Sequence, residues 1–345
     1  MSATLSVKHL TPADCSRWDA FVATCPEATF FHRAGWKSII EDVFRHRVWF
    51  LFAERGGEIC GVLPLANVKS WLFGNSMASL PFCVYGGIAA NDAEAVAALE
   101  VEAERLAHEC GVDVLEFRNC APKHPDWPQQ DLYVRFRKQI FAEDEDNMRA
   151  IPRKQRAMVR KGIKAGLVSE IDAGIDRFFD LYAGNVHRHG TPALPKRYFE
   201  RLKAVFGDDC EVLIVVDPKG QPVSGVLTFY FRDEVLPYYA GDALAARDLA
   251  GNDFKYWELM RRSRERGCKV FDYGRSKRGT GSFDFKKNWG FEPEPLYYEY
   301  RLYRRDSIPQ NNPNNAKYRL FIEGWRRMPV GLATWLGPYI VRNLG

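Results

Sequence analysis

The amino-acid sequence predicts an α/β (α+β) chain organised as two tandem domains, and three observations carry that expectation. Its 345 residues are enough to bury two ordinary cores. Hydrophobic residues at 46% and charged residues at 27%, with no low-complexity tract, mark a globular chain and not a disordered one. Above all, one pattern occurs twice. Each copy runs from a glycine turn into a hairpin strand, then through an aromatic strand end rich in glycine to an Asp, a helix and a buried strand.

In the first copy GEICGVLPLANV (57–68) is the hairpin strand and CVYGGIAAND (83–92) the aromatic strand end. Val96, Leu99, Ala103, Leu106 and Cys110 then recur at three- and four-residue steps, the spacing of one helix face. The Asp92 carboxylate can accept the free amide hydrogens of that helix's opening turn. GVDVLEFRN (111–119) is the buried strand that follows. The series repeats as PKGQPVSGVLTFYF (218–231), YYAGDALAARDLAGND (238–253), a helix with Phe254, Trp257 and Met260 on one side, and GCKVFDYGR (267–275). Asp253 near the start of this helix and Arg261, Arg262, Arg264 and Arg266 near its end suit the helix dipole.

The first copy carries extra residues around WLFGNSMASLP (71–81), which read as a surface loop. DLYVRFRKQIF (131–141) reads as a strand completing the first domain, and EDED (143–146) opens a long helix. The expected division is therefore 1–142, 143–303 and 304–345. The last part begins with RRDSIPQNNPNNAK, polar and Pro/Asn-rich enough for a mobile linker, and ends in an amphipathic helix.

Lys and Arg total 49 against 44 Asp and Glu, too small an excess to mark a nucleic-acid binder by itself. The eight cysteines are scattered. With no CxxC pair and no His at ligand spacing beside them, they read as reduced thiols, and no metal is expected. The opening residues lack the basic segment and apolar run of a secretory signal, and no uncharged stretch is long enough to cross a bilayer. The expected location is the cytoplasm.

Three stretches could carry chemistry, each with a plainer alternative. MRAIPRKQRAMVRKGIKAGL (148–167) puts Arg149, Arg153, Arg156, Arg160 and Lys164 on one helical face with Lys154 and Lys161 beside it. Such a face is either simply solvated or a dock for an anionic partner: a phosphate-bearing cofactor, an acidic carrier protein or RNA. LPYYAGDALAARDLAGNDFKYWELM (236–260) leads from a strand into a helix N-terminus, whose free amides attract phosphate, or it is a plain turn. VFDYGRSKRGTGSFDFKKNWGF (270–291) ends a buried strand at Asp272 and Arg275 and then supplies Lys286. Asp272 could act as a general base or fix a cation, and Lys286 could contact a phosphate or polarise a carbonyl; the alternative is a surface ion pair of little consequence. His187 and His189 in NVHRHG (185–190) lie on different helix sides, one expected at an acceptor cleft and the other on the surface.

Together with FFDLYAGNVHRHGTPALPKRYFERL (178–202), GVLTFYF, YYAGDA, KYWELMRRSRERGCKVFDYGRS and FDFKKNWGF, the basic segment resembles the second domain of FemAB-type transferases. It also resembles the BioF2-like acetyltransferase domain of exopolysaccharide clusters, and most of all the FemAB-like proteins of exosortase (PEP-CTERM) loci. The resemblance covers roughly residues 148–300; the first half matches more loosely and reads as a degenerate copy with scaffold duty. It implies two tandem GNAT-like acyl-CoA N-acyltransferase domains with mixed central sheets, moving an acyl or aminoacyl group onto an amine in cell-envelope or exopolysaccharide construction. On this view Asp272, Lys286 and Tyr239 are catalytic, while Asp242, Arg275, His187 and Tyr238 face the acceptor, a small-molecule, sugar or peptide amine. Arg153, Arg156, Arg160, Arg247, Gly251 and Asn252 would face the phosphates of an acyl-CoA or acyl carrier protein donor.

Two departures bear on the donor. Residues 148–260 contain no sustained heptad run, so the coiled-coil arm of several aminoacyl-tRNA-dependent members has no counterpart. RDLAGND (247–253) keeps only the Arg and one Gly of the CoA pyrophosphate-loop signature. Besides an acyltransferase, the readings are therefore an aminoacyl-tRNA-dependent ligase and a non-catalytic binding module. Finally, the stretch 316–345 carries Trp325, Met328, Leu332, Trp335, Leu336 and Tyr339 beside Arg326, Arg327 and Arg342. It is expected either to pack back onto the protein or to rest on anionic lipid at the inner membrane face.

Overall fold

The computed structural model describes residues 4–70, 74–308 and 316–343, with the backbone alone from 316 to 320. The chain divides into two compact units: Met1–Leu132 with Pro295–Gln310 and Arg342–Gly345, and Tyr133–Glu294 with Asn311–Val341. The first unit opens with β1 (Leu5–His9), α1 (Cys15–Thr24), α2 (Gly35–Ile39), β2 (Arg47–Arg55) and β3 (Glu58–Ser70). It continues with β4 (Gly74–Ala78), β5 (Ala89–Ala90), α3 (Ala93–Glu109), β6 (Val114–Asn119) and β7 (Gln129–Gln130). The second holds β8 (Tyr133–Gln139), α4 (Asp144–Ala150), α5 (Arg153–Lys164), β9 (Val168–Asp172), α6 (Asp176–Arg188), α7 (Lys196–Phe206), β10 (Cys210–Val216) and β11 (Pro222–Phe231). It runs on through β12 (Glu234–Asp242), α8 (Ala246–Leu249), α9 (Gly251–Glu265), β13 (Val270–Lys277), α10 (Gly281–Asn288) and β14 (Glu292–Pro295). Then β15 (Tyr297–Leu302) returns to the first sheet, and α11 (Ala316–Arg327) and α12 (Val330–Val341) end the described chain.

Both sheets are mixed. The first runs β1-β2-β3-β4-β6-β15-β7 with β5 on β3, and the second β14-β8-β13-β12-β11-β10-β9. In each, one parallel pair, β4 with β6 and β12 with β13, is bridged by a helix-bearing crossover, as parallel neighbours require.

Helix α3 forms as its spacing predicts. Ala95, Leu99, Ala103 and Leu106 are buried in the first core, and the Asp92 carboxylate accepts from the Ala95 amide at 2.9 Å. In α9 the expected Phe254, Trp257 and Met260 are buried in the second core. Its terminal arginines are drawn into ion pairs, Arg262 and Arg266 with Glu211 and Arg261 and Arg264 with Asp144.

Several expectations are corrected. Residues 131–141 do not complete the first sheet: β8 pairs antiparallel with β13 in the second, and the first sheet instead receives β15, from the far side of the 143–303 segment, beside β6. The stretch around 71–81 contains β4, laddered to both β3 and β6; residues 71–73 of it lie outside the described residues. Tyr85, read as a strand end, sits buried in irregular chain. The long helix expected from 143 breaks into α4 and α5 because Pro152 forces Ile151 into an extended conformation, ψ 129°. The expected linker lies largely outside the described residues, and the single closing helix is two helices, with Pro329 in the junction between them.

One approach of backbone to backbone sets how the second unit's layers meet. Gly241 of β12 passes under α6, where a methyl group would sit 2.4 Å from the Tyr182 amide nitrogen and 2.5 Å from the Leu181 carbonyl carbon. Main chain cannot swing aside as a side chain does. Gly241→Ala is therefore expected to cost about 2–3 kcal/mol, the upper end of an overpacked core, read as a lowered denaturant midpoint with unchanged slope.

Candidate active site

The second unit opens where its two parallel strands part. β12 and β13 pair only at Glu234 with Val270 and Val235 with Phe271. Sequence accounts for this. Pro237 has no N–H to give, the register against β11 shifts so that Tyr238 is an extra residue, and β13 bulges between Asp272 and Arg275 around Gly274 at φ +63°. The opening faces the carboxyl ends of the two strands. In open α/β sheets ligands bind there, and the crossover helix begins at the same end.

That helix, α9, starts from Ala250 in the left-handed conformation, φ 58°. Its opening turn is held from three sides. The Asp242 Oδ1 that ends β12 accepts from Lys255 Nζ at 2.9 Å and from the Ser224 hydroxyl. Asp253 Oδ1 accepts from Trp289 Nε1 at 2.9 Å and from Gln155 Nε2 of α5 at 3.2 Å. Burial pushes the Asp253 carboxyl upward against those hydrogen bonds. Gln155 thus places the first turn of α5 beside the first turn of α9, and Gly162, where a Cβ would lie 2.7 Å from that of Phe254, lets the two helices close together. On the outward face of α5, Arg153, Lys154, Arg160, Lys161 and Lys164 are exposed, and among the described residues none of them has a carboxylate partner.

At β13 the buried Lys286 amine donates to the carbonyls of Tyr273 at 2.7 Å and Arg275 at 3.1 Å, with Gly274 O at 3.4 Å. It bridges the bulge. Desolvation pushes it down to about 7, Asp272 opposing the shift and Arg275 adding to it. Asp272 is buried, its Oδ1 accepting from the Gly274 amide at 2.7 Å and its Oδ2 lying 3.5 Å from Arg137 Nε. Beside them the Tyr273 hydroxyl is buried with no partner among the described residues, and burial holds it well above an ordinary phenol.

The structure therefore brings Asp272, Arg275 and Lys286 together at the bulge, and Asp242, Gly251 and Asn252 at the start of α9. Arg247 is exposed on α8 just ahead of them. Asp242 also lines a groove of about 440 Å³ with Ala243, Leu244, Pro222 and, from α6, Arg177 and Arg188. Other expected residues are committed elsewhere. Tyr239 sits among aromatic rings, 5.2 Å from that of Phe199, with its hydroxyl 3.0 Å from that of Tyr198. Tyr238 packs at a tilt of 45° against the Phe229 ring, 5.4 Å between centroids. Arg156 donates to the Ile151 and Arg149 carbonyls, closing the end of α4. His187 Nε2 bonds the Met328 carbonyl at 2.9 Å, so it anchors the C-terminal helices.

Sequence reading missed Lys255, Gln155 and Trp289, the side chains that fix the start of α9; Lys255 lies off the Phe254, Trp257 and Met260 stripe, and no local signal marks it. It also missed a small cleft in the first unit, about 60 Å³, lined by His32, Gly87 and Asn119 among others. There Asn119 Nδ2 donates to the buried Glu299 carboxylate at 2.7 Å, while its Oδ1 has no partner among the described residues. Among the described residues no group of His, Cys, Asp and Glu is placed to hold a metal ion.

Comparison with known proteins bears on the fold and on the family of one segment. Residues 147–287 match the family model described as acetyltransferase (GNAT) domain. No curated protein matches the chain. Among solved structures, FemX is 17% identical with a TM-score of 0.69, over 87% of this chain and 98% of its own. The C-terminal domain of a putative lysylphosphatidylglycerol synthetase from Agrobacterium fabrum is 14% identical with a TM-score of 0.57, over 84% and 91%. A tandem GNAT protein from the clavulanic acid biosynthesis pathway is 13% identical with a TM-score of 0.55, over 88% and 100%. The chain thus has a GNAT-like fold with two mixed sheets, and its 147–287 segment is an acetyltransferase (GNAT) domain of the acyltransferase class.

Proposed function

We propose that the protein transfers an acyl group from a phosphate-bearing thioester, acyl-CoA or acyl carrier protein, to an amine in cell-envelope or exopolysaccharide construction. The observation that carries this reading is the parted β12–β13 pair opening toward the start of α9, with the exposed cations Arg153, Lys154 and Arg160 of α5 alongside, which have no carboxylate partner among the described residues. Phosphates of the donor would rest on the free amides of the α9 opening turn, on Arg247, and on Arg153, Lys154 and Arg160. The acyl carbonyl would lie between the strands, its oxygen facing a β12 amide. There the acceptor nitrogen attacks the carbonyl carbon, a proton leaves that nitrogen, the C–N bond forms, and the C–S bond breaks to release a thiol. Little is required of the protein beyond alignment and stabilisation of the oxyanion. Asp272 and Lys286 shape the β13 edge of the opening, and Asp242 and Arg188 line the groove where an amine could wait.

A second reading, aminoacyl transfer from charged tRNA, draws on the same cationic α5 and on the fold shared with a protein named as a lysylphosphatidylglycerol synthetase. Thermal-shift titration separates the two, since a ligand that binds only the folded state raises its melting temperature. Acetyl-CoA, longer acyl-CoAs, acyl carrier protein, and uncharged and charged tRNA are the probes. A shift with one acyl donor is expected. Arg153→Gln, Lys154→Gln and Arg160→Gln together should raise the donor's Kd roughly 10-fold or more, one charge-assisted contact being enough for that. A shift with charged tRNA alone would move the assignment to a ligase, and no shift with any probe would leave a binding module.

A further inference from the structure

Helix α12 is built inside out. Its sequence, VGLATWLGPYIV, has no charged residue. A helix on a water-facing protein buries its large apolar side chains and shows small or polar ones. Here the buried positions are Ala333 and Gly337, one turn apart. Gly337 lies so close to the neighbouring chain that a Cβ would sit 2.8 Å from the Ala193 carbonyl oxygen. Four large residues point away, Val330, Leu332, Trp335 and Tyr339 being 46%, 45%, 64% and 61% exposed, while Leu336, Ile340 and Val341 are half-buried. Phe321 of α11 is 41% exposed as well. The arrangement is fixed rather than frayed, because Trp325 is buried and the Met328 carbonyl between the helices is bonded to His187.

We infer that α12, with the end of α11, is a docking surface for an anionic lipid bilayer. Charge selects this occupant. From residue 324 to the end of the chain Arg326, Arg327 and Arg342 occur with no Asp or Glu. All three are exposed, and among the described residues Arg327 pairs with no carboxylate. Glu323, one turn before Arg326 and Arg327, is the acid on their own helix. Trp and Tyr each join an apolar ring to a polar tip, which suits the boundary between headgroups and acyl chains, while arginines beside them meet lipid phosphates. A second copy of the chain would supply no such negative partner from this acid-free stretch. Twelve residues rise about 18 Å, short of a hydrocarbon core of about 30 Å, so α12 lies on the surface and does not cross it. Among the described residues no helix is long and apolar enough to cross.

Co-sedimentation of the full chain with vesicles of phosphatidylcholine alone, and of phosphatidylcholine mixed with phosphatidylglycerol, tests this. Partitioning is expected to be roughly 10-fold or more stronger with the anionic lipid and to weaken with added salt. Trp335→Ser with Tyr339→Ser should abolish it without lowering the melting temperature, both side chains being mostly exposed, and Arg326→Gln with Arg327→Gln should weaken it. Equal partitioning of wild type and the aromatic double variant would overturn the proposal. So would a concentration-dependent dimer that Trp335→Ser dissociates, seen in a protein that ignores the vesicles.

Discussion

A Lys286→Met variant is expected to fold, to lose roughly 100-fold or more of its transfer rate, and to lose a pH dependence that the wild type shows. The amine lies 5.6 and 5.5 Å from the centres of the Phe136 and Tyr273 rings, surroundings that a methionine side chain can also occupy. What methionine cannot do is donate to the Tyr273 and Arg275 carbonyls. Buried acceptors left without a donor cost about 1–3 kcal/mol each, and the strand relieves that by moving. β13 forms one wall of the opening, and a displacement near 1 Å at a reacting centre costs on the order of 100-fold in rate. Lys286 is thus a positioning residue, which a pH profile distinguishes from a merely structural one. As the ammonium it has three donors for three carbonyls, and as the amine only two. Transfer should fall as pH rises through about 7, where burial places this group, and the limb should vanish in the variant.

Stability moves oppositely. The unfolded chain holds the Lys286 proton up to its ordinary 10.5, whereas the folded chain releases it near 7. Between those values the unfolded state binds more protons, so folding becomes more favourable as pH rises, by roughly 5 kcal/mol across the window, and the term is constant below it. Denaturant titrations at pH 7 and pH 10 should show a gain that Lys286→Met lacks. An unchanged rate in the folded variant would mean that the β13 bulge does not shape the site.

Much of this was legible from local pattern. The stripes of α3 and α9, the Asp92 cap and the buried runs of β6 and β13 are each set by residues within a few positions of one another. Strand exchange was not. The inward residues of β8, Val134 and Phe136, would satisfy either sheet, and the choice between β6 and β13 as partner depends on chain ends far away in sequence. The break at Pro152 was local and readable, yet the run of charges around it masked the rule that the residue before proline leaves the helix. Of the candidate residues, Asp272, Arg275 and Lys286, which the structure brings together at the β13 bulge, were singled out because strand end and Gly/Ser loop announced them. Lys255 was not, since a lysine in a helix is ordinarily solvated; only the packing of α9 against β12 shows it wholly buried.

That buried lysine makes Asp242 a consequential carboxylate in the second unit. Lys255 is 0% exposed, and its ammonium bonds Asp242 Oδ1 at 2.9 Å and lies 4.9 Å from the centre of the Tyr256 ring. A ring face cannot stand in for a counter-ion. Asp242→Ala leaves the ammonium buried without a hydrogen-bonded carboxylate, Asp253 being a charge neighbour beyond ion-pair distance. That is expected to destabilise the fold by about 3 kcal/mol, the lower end for a stranded buried charge, and well beyond an exposed ion pair. Replacing both partners removes the stranded charge: Asp242→Ala with Lys255→Met should recover most of that loss, as buried pairs exchanged for apolar groups commonly do. The double variant then separates two roles that the single one confounds. Asp242 also lines the groove beside Arg188, so a chain that regains its melting temperature but keeps a raised KM for the amine, with kcat little altered, identifies the carboxylate as an acceptor contact. Full recovery of both stability and KM would instead confine it to holding Lys255, and the amine would have to be bound by other residues of the groove.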